Sequence, residues 1–198
     1  MSNRKSPTKQ ILLFLIWTIA HLSLMRGQNL KIGIENQTRK EELTRVKLTR
    51  VLEEYDVQKW IFVDTLRIAE REIPHSHPIL TLNTRPQSDL SLLSVFIHEN
   101  IHWFLEEKKE ATDKAMDELK VLFKNVPVGY PEGAKSEHST YLHLIVNYLE
   151  YDGIKQVAGE RAAQAVFQRK TYYKWINLQV LANLEYLEKL IIKYQLKI

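Results

Sequence analysis

Between Ser88 and Leu105 the chain reads SDLSLLSVFIHENIHWFL. No other stretch constrains the fold as strongly. Ser88 and Asp89 are good N-cap residues, and Leu90, Leu93, Ile97, Ile101 and then Phe104 or Leu105 recur with the 3.6-residue period of a helix. The core of this helix, Val95 to Phe104, is VFIHENIHWF, so His98, Glu99 and His102 stand where the pattern calls for burial. Two imidazoles and a carboxylate left unpaired there would cost several kcal/mol. The rest of the chain has to supply them with a partner.

His98 and His102 are four residues apart, so on a helix both rings leave the same face about one turn apart and can reach a single metal ion. Glu99 sits one step round from the first imidazole, beside the metal's open position and not on the metal. This is the H-E-x-x-H arrangement, in which zinc lowers the pKa of a bound water and the glutamate takes its proton as general base. Zn2+ is expected over manganese or iron from the ligand type.

The ten residues from Val95 to Phe104 resemble the extended active-site helix signature of the zincin metallopeptidases. The resemblance implies an edge strand shortly before the helix that binds extended substrate, a place ILTLNT (79–84) occupies, and a third zinc ligand further along. The chain departs from the metzincin subgroup, because Leu105 and Lys108 stand where that pattern has glycine and histidine. A gluzincin-like or a three-histidine site are both open.

The segment from 140 to 152 is apolar nearly all round, yet His143, Asn147 and Glu150 recur at i, i+4 and i+7 as one polar stripe. His143 would complete a three-histidine site and is favoured. Glu150 would make a site similar to the gluzincin branch, although Ile154 stands where that branch has an acid. Whichever is not the ligand is expected to orient a ligand ring. A hydrolase also needs a donor for the developing oxyanion, and the candidates are Tyr172, Tyr173 and His138, the last also an outside candidate for the third ligand. His75 and His77 flank a proline-rich turn and read as exposed turn residues.

Elsewhere the pattern predicts an amphipathic helix from Thr38 to about Tyr55 and strands at 60–68 and 79–84. A charged second helix or extension should run through 106–123 with a solvated face, followed by a loop at 127–133. The next helix is expected to be capped by Ser136, Ser139 or Thr140 and closed by Gly153, with further helices near 158–168 and 171–195. The fold class is α+β: a mainly helical, zincin-like domain with a small β-sheet preceding the active-site helix.

Residues 1–27 have the layout of a signal peptide or an N-terminal signal anchor. Arg4, Lys5 and Lys9 precede the apolar run at 11–25, which is short for a spanning helix but allows membrane contact. Residues 28–198 then form a single exported domain, periplasmic or secreted, or membrane-anchored if the leader stays. The +4 charge of the whole chain belongs to that leader, since the remainder holds twenty-four basic and twenty-four acidic residues. This argues against nucleic acid as a partner. With no cysteine, disulfides, thiolate nucleophiles and Cys-based metal sites are excluded. Two functions are consistent with these features. One is a zinc peptidase acting on peptide or protein with Glu99 as base; the other is a non-catalytic metal-binding or membrane-anchored interaction protein.

Overall fold

Helix α1, Arg39–Glu54, shows how the chain turns local chemistry into architecture. Thr38 caps it and Glu41 completes a capping box, but Glu41 does more than cap. In the computed structural model, which describes residues 30–198 apart from Gln87, the Glu41 carboxylate has no exposed surface. It accepts hydrogen bonds from the backbone N–H groups of Asn36 and Glu70, both at 2.8 Å, from that of Thr38 at 3.3 Å, and from the Asn36 amide at 2.8 Å. One side chain thus ties the turn after the first strand to the segment leaving the second.

Strand β1 is Lys31–Ile34, β2 is Thr65–Ile68 and β3 is Leu80–Leu82. They form a parallel sheet in the order β1-β2-β3, with Ile32 beside Leu66 and Leu66 beside Leu80. Parallel neighbours need crossovers, and α1 supplies the first. The second, residues 69–79, contains no helix. It folds back so that His75 exchanges two backbone hydrogen bonds with Thr81. Strand β3 is the edge strand of the sheet, directly before the motif helix, and on its outward side it is bridged at Thr81 alone. The tip of the crossover is strapped to the next helix, where His77 stacks on Trp103 and the Trp103 indole donates to the Ser76 carbonyl. His75 and His77 lie half-buried and exposed, respectively, as turn residues.

The remaining elements are helices: α2 Asp89–Glu107, α3 Lys109–Leu122, α4 Glu137–Ala158, α5 Glu160–Arg169, α6 Lys174–Ala182 and α7 Leu184–Lys193. The described chain is α+β and mostly helical, with seven α-helices and the small sheet. Helices α2 and α4 cross at the centre and are buried on nearly every side. The leader read at 1–27 and its apolar run at 11–25 lie outside the described residues. Among the described residues no helix is long and apolar enough to cross a membrane.

Three expectations about the elements need correction, and one strand was not expected. The strand expected at 60–68 is only its second half, because Gln58–Trp60 is a 3-10 turn. Trp60 and Ile61 are buried in the core without pairing in the sheet, and the Phe62 N–H is taken by Asn100 of the motif helix at 3.0 Å. Strand β1 escaped notice, since KIGI is four residues long and offers only two apolar positions. Gly153 does not end α4. It lies inside the helix against Trp60 and Ile97, where an added Cβ would come within 3.0 Å of the indole nitrogen. Gly159, at φ 88°, is the residue that closes α4. Finally, the long helix at 171–195 is two helices broken at Asn183.

The Glu41 knot predicts an acid-sensitive stability. Burial alone would raise its carboxyl pKa, but the bonds from Glu70, Asn36 and Thr38 outweigh this and lower it from 4.5 to about 2. A depressed folded-state pKa contributes stability that is full above about pH 4.5 and fades as the pH falls toward 2. Urea titrations should find Glu41→Gln on the order of 2–3 kcal/mol less stable at pH 7. The gap to the wild type should shrink steadily below pH 4.

Candidate metal centre

Helix α2 is capped as its sequence requires, with the Ser88 hydroxyl accepting from the Ser91 N–H. Its turns then carry His98, Glu99 and His102 inward. His98 and Glu99 are buried and His102 is half-buried. Asn100, between them, is fully buried, and its amide donates to the Phe96 carbonyl while its oxygen accepts from Phe62. This residue of the motif serves packing. Helix α4 starts at Ser136, whose hydroxyl accepts from the Ser139 N–H, and it presents His143 to the same point.

The three imidazoles converge. Ring centroids are 5.1 Å apart for His98 and His102, 5.5 Å for His98 and His143, and 5.1 Å for His102 and His143. One ligand atom from each lies within 4.8 Å of the others, so this largely buried triad could hold a metal ion. The second ring nitrogens support that use. His98 Nδ1 lies 3.0 Å from a Glu150 carboxylate oxygen, and His143 Nδ1 lies 2.6 Å from the Ser139 carbonyl. With a proton on each Nδ1, both hydrogen bonds are satisfied and both Nε2 lone pairs are left for a cation. Burial, reinforced by repulsion from the neighbouring imidazoles, pushes His102 well below its ordinary value and His143 down to about 3. These rings are neutral near pH 7, the form that binds metal.

The polar stripe on α4 divides its labour. His143 joins the triad. Glu150 stands behind His98 with no exposed surface, taking hydrogen bonds from His98, from the Ser94 hydroxyl and from Lys170, whose ammonium lies 2.5 Å from each carboxylate oxygen. Full burial pushes its carboxyl upward, but Lys170 and His98 outweigh that and hold it at about 2. Asn147 donates to Asn177 Oδ1 at 2.8 Å, and Asn177 in turn donates to the Tyr172 carbonyl at 2.9 Å. The stripe thereby reaches the turn that begins α6.

That turn separates the three oxyanion candidates. Tyr173 adopts a left-handed conformation, φ 57° and ψ 39°, uncommon for an aromatic residue. It is held by Asn177, whose N–H donates to the Tyr173 carbonyl, and by the Lys174 and Trp175 N–H groups, which donate to Pro131 and Glu132. The strained residue brings its ring to 4.4 Å from His143 and 6.2 Å from His98. Burial raises the phenol's pKa, and so does Tyr130, whose hydroxyl lies 3.3 Å away. Tyr172 faces outward and is exposed. His138 is exposed at the start of α4, where with His77, Leu105, Glu106 and Met116 it lines a cavity of about 290 Å³ beside His102.

Glu99 is buried, and burial pushes its carboxyl upward against the field of His98. Among the described residues no side chain hydrogen-bonds this carboxylate. Two members of the surround were invisible to sequence reasoning. Lys170 reads as an ordinary helix-end cation, and Tyr130 as a loop aromatic. Only the turn chemistry of PVGYPEG marked out the neighbourhood of Tyr130.

Comparison with protein-family models, with curated proteins and with solved structures finds no match for this chain. The class of site is therefore defined by its donor set: three imidazoles on two crossing helices, backed by a carboxylate and a carbonyl. Elemental analysis of full-length protein prepared without a metal-affinity tag should find about one divalent ion per chain. His98→Ala, His102→Ala and His143→Ala should each lose it, whereas His138→Ala should keep it. Retention by His143→Ala would mean that the triad is not the binding set.

Proposed function

We propose that the chain is a zinc-dependent hydrolase of the zincin type that cleaves peptide bonds. The observation that carries this is the position of Glu99: a buried carboxylate with no hydrogen-bond partner among the described residues, next in sequence to His98 of three converging imidazoles, two of which, His98 and His143, have their outer nitrogens already engaged. His98, His102 and His143 would hold the ion, and the all-imidazole donor set suits zinc. Zinc in this place supplies acidity to a water molecule and polarises a carbonyl group.

The protein's own groups do the rest. Glu99 takes the proton of the attacking water and passes it to the departing amine, as a general base and then a general acid. Burial makes it a stronger base than an exposed carboxylate, which suits taking a proton from water. Tyr173 donates its phenolic hydrogen, which a phenol retains at neutral pH, to the developing oxyanion. The buried walls of α2 and α4 limit water around these groups. The proposed setting is an exported or membrane-anchored domain, following from the leader at 1–27.

A second reading makes the ion a staple between α2 and α4 with no turnover. It is favoured by the burial of the triad, and Glu99 decides between the two. In a fluorogenic peptide screen with zinc supplied, wild-type protein should cleave at least one peptide and lose that activity to a chelator. Glu99→Gln should retain the metal and lose about 10²- to 10⁴-fold in kcat. Tyr173→Phe should lose about 10²-fold in kcat with little change in KM. A Glu99→Gln variant that cleaves at the wild-type rate, or a zinc-loaded wild type that cleaves nothing, would favour the staple.

A further inference from the structure

Resting on the metal-centre reading above, we propose that Lys170 is a positioning residue of the centre, acting on the metal through Glu150 and His98. Glu150 is a charged group with no exposed surface. A carboxylate so placed requires a counter-charge and fixed donors. Among the described residues its donors are three: the Ser94 hydroxyl and His98 Nδ1 from α2, and the Lys170 ammonium. Of these only Lys170 touches both oxygens, at 2.5 Å each. It fixes the plane of the carboxylate, and the plane decides where the lone pair facing His98 lies.

Lys170 is itself held in place. It is the C-cap residue of α5, its N–H donates to the Phe167 carbonyl, and its ammonium lies 4.5 Å from the centre of the buried Phe167 ring. The docking of α5 is thereby transmitted along one line: Phe167, Lys170, Glu150, His98. Outer partners of metal-bound histidines commonly change metal affinity by about 10- to 100-fold when removed. Here the outer partner of His98 has a partner of its own.

A double-mutant cycle read on zinc affinity, by competition with a chromophoric chelator on full-length protein, tests this. Glu150→Gln should weaken zinc binding about 10- to 100-fold, and Lys170→Met should weaken it to a similar degree. The double variant should bind no more weakly than Glu150→Gln alone, because the lysine has nothing left to position. Lys170→Arg, which keeps the charge and offers a fork to both oxygens, should recover most of the affinity. If Lys170→Met alone proves unfolded, the double variant removes both charges together, and its comparison with Glu150→Gln still shows whether Lys170 acts on zinc binding by any route other than Glu150.

Wild-type affinity in Lys170→Met would overturn the proposal while the metal centre stands. So would a loss that persists undiminished in the Glu150→Gln background. Absence of stoichiometric zinc from wild-type protein would instead overturn the metal centre, and this role of Lys170 with it.

Discussion

The buried charge of Glu150 is the constraint on which the rest of this structure depends. A carboxylate without exposed surface is tolerated only where the protein replaces the hydration it has lost. Here the replacement comes from two other parts of the chain: Ser94 and His98 on α2, and Lys170 at the end of α5. Satisfying one side chain therefore fixes how α2, α4 and α5 meet. The fixed outer nitrogen of His98 follows from that packing, and with it the direction of the nitrogen turned toward His102 and His143.

The same logic runs one turn further up α4. Asn147 reaches Asn177, which holds the Tyr172 carbonyl and so the left-handed turn at Tyr173. Backbone strain of this kind costs about 1–3 kcal/mol and persists only where its surroundings determine it. The surroundings are the Pro131 and Glu132 carbonyls, which receive the first N–H groups of α6. The loop at 127–133 is in turn fastened by the Thr140 hydroxyl, which donates to the Pro127 carbonyl and accepts from the Ala134 N–H. A polar stripe in an otherwise apolar helix thus organises both the imidazoles and the Tyr173 ring packed against His143.

Much of this was legible in the chain, and the illegible parts have identifiable causes. Helix α2 was readable because its cap, its 3.6-residue period and its apolar content agree. The break at Lys108 was not, because neither glycine nor proline marks it. The carbonyl of Leu105 is instead satisfied by the buried Thr112 hydroxyl, a contact made only after α3 has turned away. The WIFV segment misled for the opposite reason. Its residues have the composition of a strand, yet tertiary packing against α2 and α4 uses Trp60 and Ile61 as core without a ladder. Gly153 was likewise read from local rules as a helix end, when a close approach of Trp60 is what requires it.

By itself the sequence determined the chemical groups available and the faces they share. His98, Glu99 and His102 are brought together by helical spacing alone, His143, Asn147 and Glu150 likewise, and the absence of cysteine leaves imidazole and carboxylate as the donors. Which of those faces meet was decided by the tertiary structure. His143 instead of Glu150 completes the triad, Tyr173 instead of Tyr172 or His138 overlooks it, and Lys170 and Tyr130 join from segments with no signal of their own. The physical reason is one of range. Spacing along a helix is set by the backbone within one or two turns, whereas the approach of residues forty or more positions apart depends on the crossing of α2 and α4. It depends equally on the dihedral angles of the single turn at Tyr173, and no local periodicity records either.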